Sequence, residues 1–190
     1  ELPKEWSIGL IVGASGTGKT TILKELFGDY IGESYKFNAS AVVDDMPKDA
    51  SMTEISKTLN AVGFSSPPSW LKPFNVLSNG EKMRVELARA LLESPEMFAF
   101  DEFTSVVDRN VAKIGSFAMQ KSIRRTKKKF IACTCHYDVE EWLTPDWVFC
   151  TNSMRLKKKL SSKDPQSISK SSTLRQENKS YGISLLVTTI

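Results

Sequence analysis

A glycine-rich segment near the amino end has the residue types and spacing of a phosphate-binding loop. Residues 13–20 read Gly-Ala-Ser-Gly-Thr-Gly-Lys-Thr, which fits the pattern G-x-x-x-x-G-K-[ST] without a mismatch. Glycines let successive backbone N–H groups point into one concavity, and the start of a helix adds partial positive charge. The sequence therefore predicts that Lys19 reaches the β- and γ-phosphates of a nucleotide and that the Thr20 hydroxyl binds Mg²⁺.

Two consecutive acidic residues follow an apolar run later in the chain. The run Met-Phe-Ala-Phe at 97–100 predicts a buried strand that ends at Asp101 and Glu102. Asp101 is expected to hold Mg²⁺ through water, and Glu102 is expected to polarise an attacking water as a general base. The alternative interpretation is an ordinary strand end with two solvated acids.

The elements that must position these residues alternate between short apolar strands and helices. Strands are expected at 7–12, 39–43, 97–100, 130–135 and 147–150, and helices at 20–27, 52–62, 80–93 and 108–124. Pro95 is expected to stop the third helix. This alternation predicts an α/β fold with a mainly parallel sheet.

Composition restricts the class of protein further. The chain has 190 residues, of which 41% are hydrophobic and 25% charged, as in an ordinary soluble globular domain. It contains no run of eighteen apolar residues, so no membrane insertion is expected, and its first residues do not read as a secretory signal. The three cysteines, Cys133, Cys135 and Cys150, favour a reducing compartment, hence a cytoplasmic location.

The basic charge is concentrated at the carboxyl end. Residues 155–190 carry eight Lys and Arg against two Asp and Glu, so with a total of +4 the remainder is about −2. Residues 1–156 are therefore expected to form the domain, and residues 157–190 a Ser/Lys-rich tail that is disordered. The apolar segment 183–190 has no evident partner in the sequence.

The segment between the loop and the acid pair carries a family resemblance. Residues 77–81, Leu-Ser-Asn-Gly-Glu, open the helix that leads to the acid pair and resemble the LSGGQ signature of ABC-type ATPases. Ser78 and Glu81 also fit an ordinary helix capping box, which is the alternative interpretation. Residues 105–108, Ser-Val-Val-Asp, resemble the D-loop of that family, and His136 follows a strand where the family has its switch histidine.

This resemblance implies a P-loop NTPase fold with an ABC-type ATPase core and a very small helical subdomain. It also implies hydrolysis of ATP with Mg²⁺ by a dimer that encloses two ATP molecules. The implied catalytic residues are Lys19, Glu102 and His136, and the implied metal-binding residues are Thr20 and Asp101. The implied nucleotide-binding residues are Gly13, Ala14, Ser15, Gly16, Thr17, Gly18, Lys19, Thr20, Thr21, Ser78, Gly80, Glu81 and Asp108.

The chain also departs from the family pattern. No Gln occurs between residues 1 and 119, so the family's Q-loop residue is absent, and Asp44 or Asp45 occupies roughly its place. Trp6 is the one candidate for the aromatic side chain that stacks on adenine, with a core role as its alternative. Only 34 residues separate Val43 from Ser78, which makes the helical subdomain small. These departures predict weak ATP affinity and slow turnover.

Several functions are consistent with the sequence. The preferred one is a soluble ABC-type ATPase that is not a transporter, similar to compact bacterial and phage ATPases, some of which are joined to an acetyltransferase-like domain. The alternatives are the nucleotide-binding subunit of an ABC transporter and a non-catalytic nucleotide switch. The basic run at 124–129 is either a nucleic-acid contact or a solvated helix end.

Overall fold

A mostly parallel sheet lies at the centre of the fold. In this computed structural model, the structure describes residues 1–31, 35–94, 96–159 and the backbone of 185–188. The sheet order is β2-β3-β1-β4-β5-β6, parallel from β2 to β4 and antiparallel from β4 to β6. The strands are β1 (Ile8–Val12), β2 (Met97–Phe100), β3 (Lys129–Thr134), β4 (Trp147–Cys150), β5 (Arg155–Lys159) and β6 (Leu185–Thr188).

Helices cover both faces of this sheet. They are α1 (Lys19–Phe27), α2 (Met52–Ala61), α3 (Pro67–Trp70), α4 (Asn79–Glu93), α5 (Arg109–Arg124) and α6 (Val139–Leu143), with 3₁₀ turns at Gly28–Tyr30, Val42–Asp45 and Phe74–Val76. α1 buries Leu23 and Phe27 in the smaller apolar cluster, whereas α2, α4, α5 and α6 contribute to the larger one. Among the described residues, no helix has both the length and the apolar character needed to cross a membrane.

The expected parallel α/β arrangement is confirmed. The expected strands at 97–100 and 147–150 match β2 and β4, and the other two strands of the parallel part differ by one residue at their ends. The expected helices are present, and α4 ends at Glu93; Pro95, expected to stop it, lies outside the described residues. The 3.6-residue periodicity of the helices and their polar caps made these elements predictable.

The strand expected at 39–43 was wrong. The chain there forms bends followed by the 3₁₀ turn Val42–Asp45, in which Val42 is fully buried. The Asp45 carboxylate accepts the backbone N–H groups of Asn38 and Ala39 at 3.1 Å, and this pairing closes the turn. An apolar run of five residues is too short for its pattern to distinguish a strand from a buried turn.

The expectation that the tail begins at residue 157 was also wrong. β5 continues to Lys159, where the Lys159 N–H donates to the Asp146 carbonyl at 2.8 Å, and Leu156 is buried opposite Phe149 of β4. Part of the apolar segment at 183–190 has a partner after all, since β6 pairs with β5. Residues 160–184 and 189–190, also assigned to the disordered tail, lie outside the described residues.

Asp146 connects three elements of the fold. Its carboxylate accepts the backbone N–H groups of Ser7 at 2.8 Å and Ile8 at 3.0 Å, where β1 begins. It also accepts from the Arg124 guanidinium at 2.7 Å, at the end of α5. Burial raises the pKa of Asp146, but the Arg124 guanidinium and these backbone donors outweigh it and hold the pKa below its usual value.

Replacing this carboxylate should lower stability in a pH-dependent way. Because its pKa is lowered in the folded state, the ionised carboxylate stabilises the fold above the unfolded pKa of about 3.9, and this contribution disappears as the pH falls. Asp146→Asn should reduce the free energy of unfolding at pH 7 by about 2 kcal/mol. Urea unfolding should show that the difference in free energy of unfolding between Asp146→Asn and wild type becomes smaller from pH 7 to pH 3. Asp49→Asn, at an exposed position, is the matched control.

Candidate functional site

The predicted functional residues follow three neighbouring parallel strands. The loop at 13–20 follows β1, the pair Asp101 and Glu102 follows β2, and His136 follows β3, which lies between the other two. The carboxyl ends of parallel strands meet at one edge of a sheet, where open α/β sheets bind their ligands. The sheet order therefore brings these three groups to the same edge.

The pKa of the buried Cys133 thiol of β3 depends on charged groups of two of these segments. Burial raises the pKa of this thiol, and the carboxylates of Asp101 and Glu102 raise it further. The Lys19 ammonium acts on the same pKa in the opposite direction. The acid pair and the loop lysine thus have opposite effects on the pKa of one thiol.

The loop itself has the backbone geometry that its glycines predict. Gly16 and Gly18 have φ of 78° and 83°, a left-handed conformation that side chains rarely adopt. Gly13 is required for a different reason, since a Cβ there would lie 2.0 Å from the Thr151 hydroxyl oxygen. Ala14, Ser15, Gly16 and Gly18 are exposed, so the loop backbone is open to a ligand.

The Lys19 side chain packs against the loop at 13–20. Its side chain is only 6% exposed, and its Nζ donates to the Ala14 carbonyl at 2.9 Å. Thr20 and Thr21, the next residues of α1, are half-buried and exposed. The Thr17 hydroxyl instead donates to the Ala14 carbonyl at 2.8 Å and lies 2.6 Å from the Thr151 hydroxyl, so it stabilises the loop.

The acid pair sits in a strained turn at the end of β2. Glu102 has a φ of 54° and Thr104 a φ of 68°, conformations that cost about 1–2 kcal/mol for residues other than glycine. Phe103, fully buried, anchors the turn, and its N–H donates to the Cys133 carbonyl at 2.8 Å. The Asp101 carboxylate accepts the Glu102 N–H at 2.9 Å, and the Glu102 carboxylate accepts the Ser105 hydroxyl at 2.6 Å.

The oxygen donors available at this edge suit Mg²⁺. A hydroxyl from Thr20 and a carboxylate from Asp101 are hard ligands, and Mg²⁺ commonly completes its shell with water and nucleotide phosphates. Within the described part of the chain, no group of three or more His, Cys, Asp or Glu could hold a metal by itself. A hydroxyl and a carboxylate fit Mg²⁺ whose other ligands are water and phosphate oxygens.

His136 has a polar neighbour that the sequence did not reveal. Its Nδ1 lies 3.5 Å from the Thr104 hydroxyl, and its backbone N–H donates to the Thr134 hydroxyl at 3.2 Å. Thr104 is 1% exposed. A hydroxyl at Nδ1 orients the imidazole, which leaves Nε2 for contact with a ligand.

The loop after His136 is tied to the start of α5. Asp108 caps α5 by accepting the N–H groups of Asn110 at 2.9 Å and Val111 at 3.0 Å. The next residue, Arg109, pairs with Asp138 through its Nε at 3.0 Å and lies 5.0 Å from the Trp142 ring centre. The Arg109 guanidinium holds the pKa of Asp138 below its usual range.

The signature-like residues lie at the start of α4. Ser78 and Glu81 form a full capping box, in which the Ser78 hydroxyl accepts the Glu81 N–H and the Glu81 carboxylate accepts the Ser78 N–H at 2.9 Å. These hydrogen bonds from Ser78 lower the pKa of Glu81. A Cβ at Gly80 would lie 2.7 Å from Val111, so a glycine lets α4 approach α5. None of the hydrogen bonds described for Ser78 or Glu81 reaches the loop at 13–20.

Two residues after β4 complete the site and were missed by the sequence analysis. Thr151 contacts Thr17 across the loop, and Asn152 accepts the Ala14 N–H at 2.8 Å. Neither residue belongs to a known motif. Their position directly after a parallel strand was the available signal, because every such strand ends at the same edge.

Other sequence candidates have structural roles here. Trp6 packs edge-on against Trp147, with ring centres 5.5 Å apart, within the smaller apolar cluster. In the basic run at 124–129, Arg124 is bound to Asp146, Lys128 donates to the carbonyls of α4 and its end, and Lys129 lies over the Trp6 ring. Three of the five basic residues of that run therefore have contacts that stabilise the fold.

Comparison with known proteins finds similarity over part of this chain. The ABC transporter family matches residues 30–105, a segment that contains the signature-like residues and the acid pair. A probable ATP-binding cassette sub-family F member 3 homolog of Encephalitozoon cuniculi is 34% identical over 105 residues, or 53% of this chain and 19% of that protein. The spermidine/putrescine import ATP-binding protein PotA of Borrelia garinii is 27% identical over 70% of this chain and 48% of that protein. The chain thus spans less than half the length of either relative.

Among solved structures, a dimeric bacterial ABC transporter cassette matches with a TM-score of 0.59 and 16% identity. The match covers 78% of this chain and 83% of that one. The fold shown by this similarity is the α/β fold of P-loop NTPases. More narrowly, the chain is similar to ABC-type ATPase domains over residues 30–105.

Removing the Thr104 hydroxyl should affect turnover more than binding. Thr104→Val keeps the shape of the side chain but leaves His136 Nδ1 without its neighbour. Since a lost hydrogen bond costs about 1 kcal/mol, kcat for ATP hydrolysis should fall about fivefold, with the Kd for ATP within twofold of wild type. Thr126→Val removes a half-buried hydroxyl bond outside the site and serves as the control. An unchanged kcat in Thr104→Val would show that Thr104 does not orient His136.

Proposed function

We propose that this chain binds and hydrolyses ATP with Mg²⁺ as an ABC-type ATPase. The observation that carries the proposal is the meeting of the loop at 13–20, the acid pair and His136 at one sheet edge. The loop backbone and Lys19 would bind the β- and γ-phosphates, and Thr20 and Asp101 would hold Mg²⁺. Mg²⁺ would supply charge compensation on the phosphates.

The remaining residues would act on water and on the γ-phosphate. Glu102 would accept a proton from the attacking water, and its exposed position after β2 leaves it accessible to that water. His136 would donate from Nε2 to the γ-phosphate, because Nδ1 faces the Thr104 hydroxyl. Lys19 would leave the Ala14 carbonyl when phosphate replaces it as the partner.

The active unit would be a dimer that encloses ATP between two chains. The start of α4 contains Ser78, Gly80 and Glu81, and the partial positive charge of this helix end suits a phosphate. The hydrogen bonds described for Ser78 and Glu81 link these two residues to each other and do not reach the loop at 13–20. They would therefore bind the γ-phosphate held by Lys19 of a second chain, with Asp108 at the same interface. The similarity to a dimeric bacterial cassette supports this arrangement.

Closing and opening of this dimer would do work outside transport, in the cytoplasm. The 34 residues between Val43 and Ser78 hold only α2, α3 and a 3₁₀ turn, which leaves little surface for a membrane partner. The free thiols of Cys133, Cys135 and Cys150 suit a reducing compartment. The closing and opening of the dimer would act on a separate protein or on an acetyltransferase-like domain.

A second candidate is the nucleotide-binding subunit of a transporter. It is favoured by the relative named as a spermidine/putrescine import ATP-binding protein. Stable co-purification of the chain with a membrane-spanning protein, lost on disruption of α2 and α3, would favour this function over the first.

The dimer can be tested with a variant that binds ATP but lacks the general base. Glu102→Gln should retain ATP between two chains, because the attacking water is no longer activated. Light scattering should then show the mass doubling when Mg-ATP is added. Adding Ser78→Arg should abolish the doubling, since it fills the start of α4.

The chain offers a closely matched control for the Ser78→Arg substitution. Ser51 caps α2 with Glu54 through the same capping box, so Ser51→Arg removes an equivalent cap outside the signature. Glu102→Gln with Ser51→Arg should still dimerise. A monomer with bound ATP in Glu102→Gln alone would contradict the dimer, and absence of bound ATP would contradict the proposed function.

A further inference from the structure

Asn152 lies between the phosphate-binding loop and the loop that carries His136. Its Oδ1 accepts the Ala14 N–H at 2.8 Å and the Tyr137 hydroxyl at 2.9 Å. Both partners are donors, so the side-chain amide must present its oxygen to them. One oxygen atom thus joins two segments 123 residues apart in the sequence.

The close approach of residues 151–152 to the loop is supported independently by Gly13. A Cβ at that position would lie 2.0 Å from the Thr151 hydroxyl oxygen and 2.8 Å from Asn152 Oδ1. The Thr151 and Thr17 hydroxyls are 2.6 Å apart, which fixes the loop on the same side. The end of β4 therefore forms a wall of the phosphate site.

Asn152 and Lys19 bind the backbone of the same residue, on its two sides. The Ala14 N–H, in the peptide that joins it to Gly13, donates to Asn152. The Ala14 carbonyl, in the next peptide, accepts from Lys19 Nζ at 2.9 Å and from the Thr17 hydroxyl at 2.8 Å. Because the two peptides share the Ala14 Cα, a change at Asn152 reaches the Lys19 ammonium through the backbone of Ala14.

The other partner of Asn152 is adjacent to the histidine. Tyr137 follows His136 directly, and its side chain is 52% exposed. The Tyr137 carbonyl accepts the Glu140 N–H at the start of α6. Tyr137 therefore connects His136 to Asn152 at one end and to α6 at the other.

We propose that Asn152 is a positioning residue that couples the phosphate-binding loop to His136 through the Tyr137 hydroxyl. The inference rests on the proposed function, in that it assigns Asn152 and Tyr137 to the same ATP site. Nucleotide binding, which draws Lys19 from the Ala14 carbonyl, changes the backbone conformation at Ala14. Asn152 transmits that change to Tyr137 and so to His136.

The contact is tested first without nucleotide, through the Ala14 amide signal in ¹H–¹⁵N NMR spectra. Asn152→Ala should shift this signal strongly, because the amide loses its acceptor. Tyr137→Phe, which leaves Ala14 untouched, should shift it in the same direction by a smaller amount. Tyr30→Phe removes the hydroxyl of another exposed tyrosine and should leave the signal in place.

The coupling is then tested with Mg-ATP, by calorimetric binding and steady-state turnover. A hydrogen bond is worth about 1 kcal/mol, so Asn152→Ala should raise the Kd and lower kcat about fivefold each. Tyr137→Phe should lower kcat with the Kd within twofold of wild type. The double variant should match Asn152→Ala, because both changes break one connection.

A conservative variant separates positioning from a merely structural role. Asn152→Asp keeps an oxygen acceptor for both donors, so the Ala14 signal and kcat should return toward wild type. Its negative charge beside the phosphates should keep the Kd for ATP raised. Asn60→Ala, an exposed asparagine on α2, should change neither quantity.

Two results would overturn the inference. One is an Ala14 signal that does not respond to Tyr137→Phe. The other is a double variant whose loss of kcat is the product of the two single losses, since independent sites add. If wild type binds no Mg-ATP, the proposed function fails, yet the Ala14 signal still decides whether Asn152 joins the two loops.

Discussion

Parallel pairing of β2, β3, β1 and β4 is the constraint on which the rest of the structure depends. Because all four strands run the same way, each of their exit loops must emerge at the same edge. The loops supply, in that spatial order, the acid pair, His136, the phosphate-binding loop and Asn152. Residues that are far apart in the sequence, from 13 to 152, therefore lie in loops at one edge of the sheet.

Each of these loops is held in place by contacts that leave its predicted functional groups accessible. Phe103 is buried against Phe130 and anchors the turn in which Glu102 and Thr104 have left-handed backbones. Thr151 and Asn152 contact the phosphate-binding loop, in which Ser15, Gly16 and Gly18 remain exposed. The strain of the acid turn and the tight fit at Gly13 are local costs that the surrounding core offsets.

Most of the fold was predictable, because strong local signals specify it. The loop motif, the strand before the acid pair and the capped helices each combine residue type with position. The run at 39–43 was too short to identify, and Leu156 is a single apolar residue among lysines, so β5 gave no periodic signal. Tyr137, Asn152 and Thr151 were missed for another reason, since their roles arise from the β1–β4 pairing, which no local pattern encodes.

The most direct test of a phosphate site at this edge compares two glycines. Gly13→Ala places a methyl group against Thr151, whereas Gly28→Ala, just after α1, meets nothing within 4 Å. Titration with Mg-ATP should show affinity reduced about tenfold or more in Gly13→Ala, as expected for a clash costing about 1–3 kcal/mol. Gly28→Ala should bind like wild type. Equal affinity in both variants, with both folded, would contradict the account.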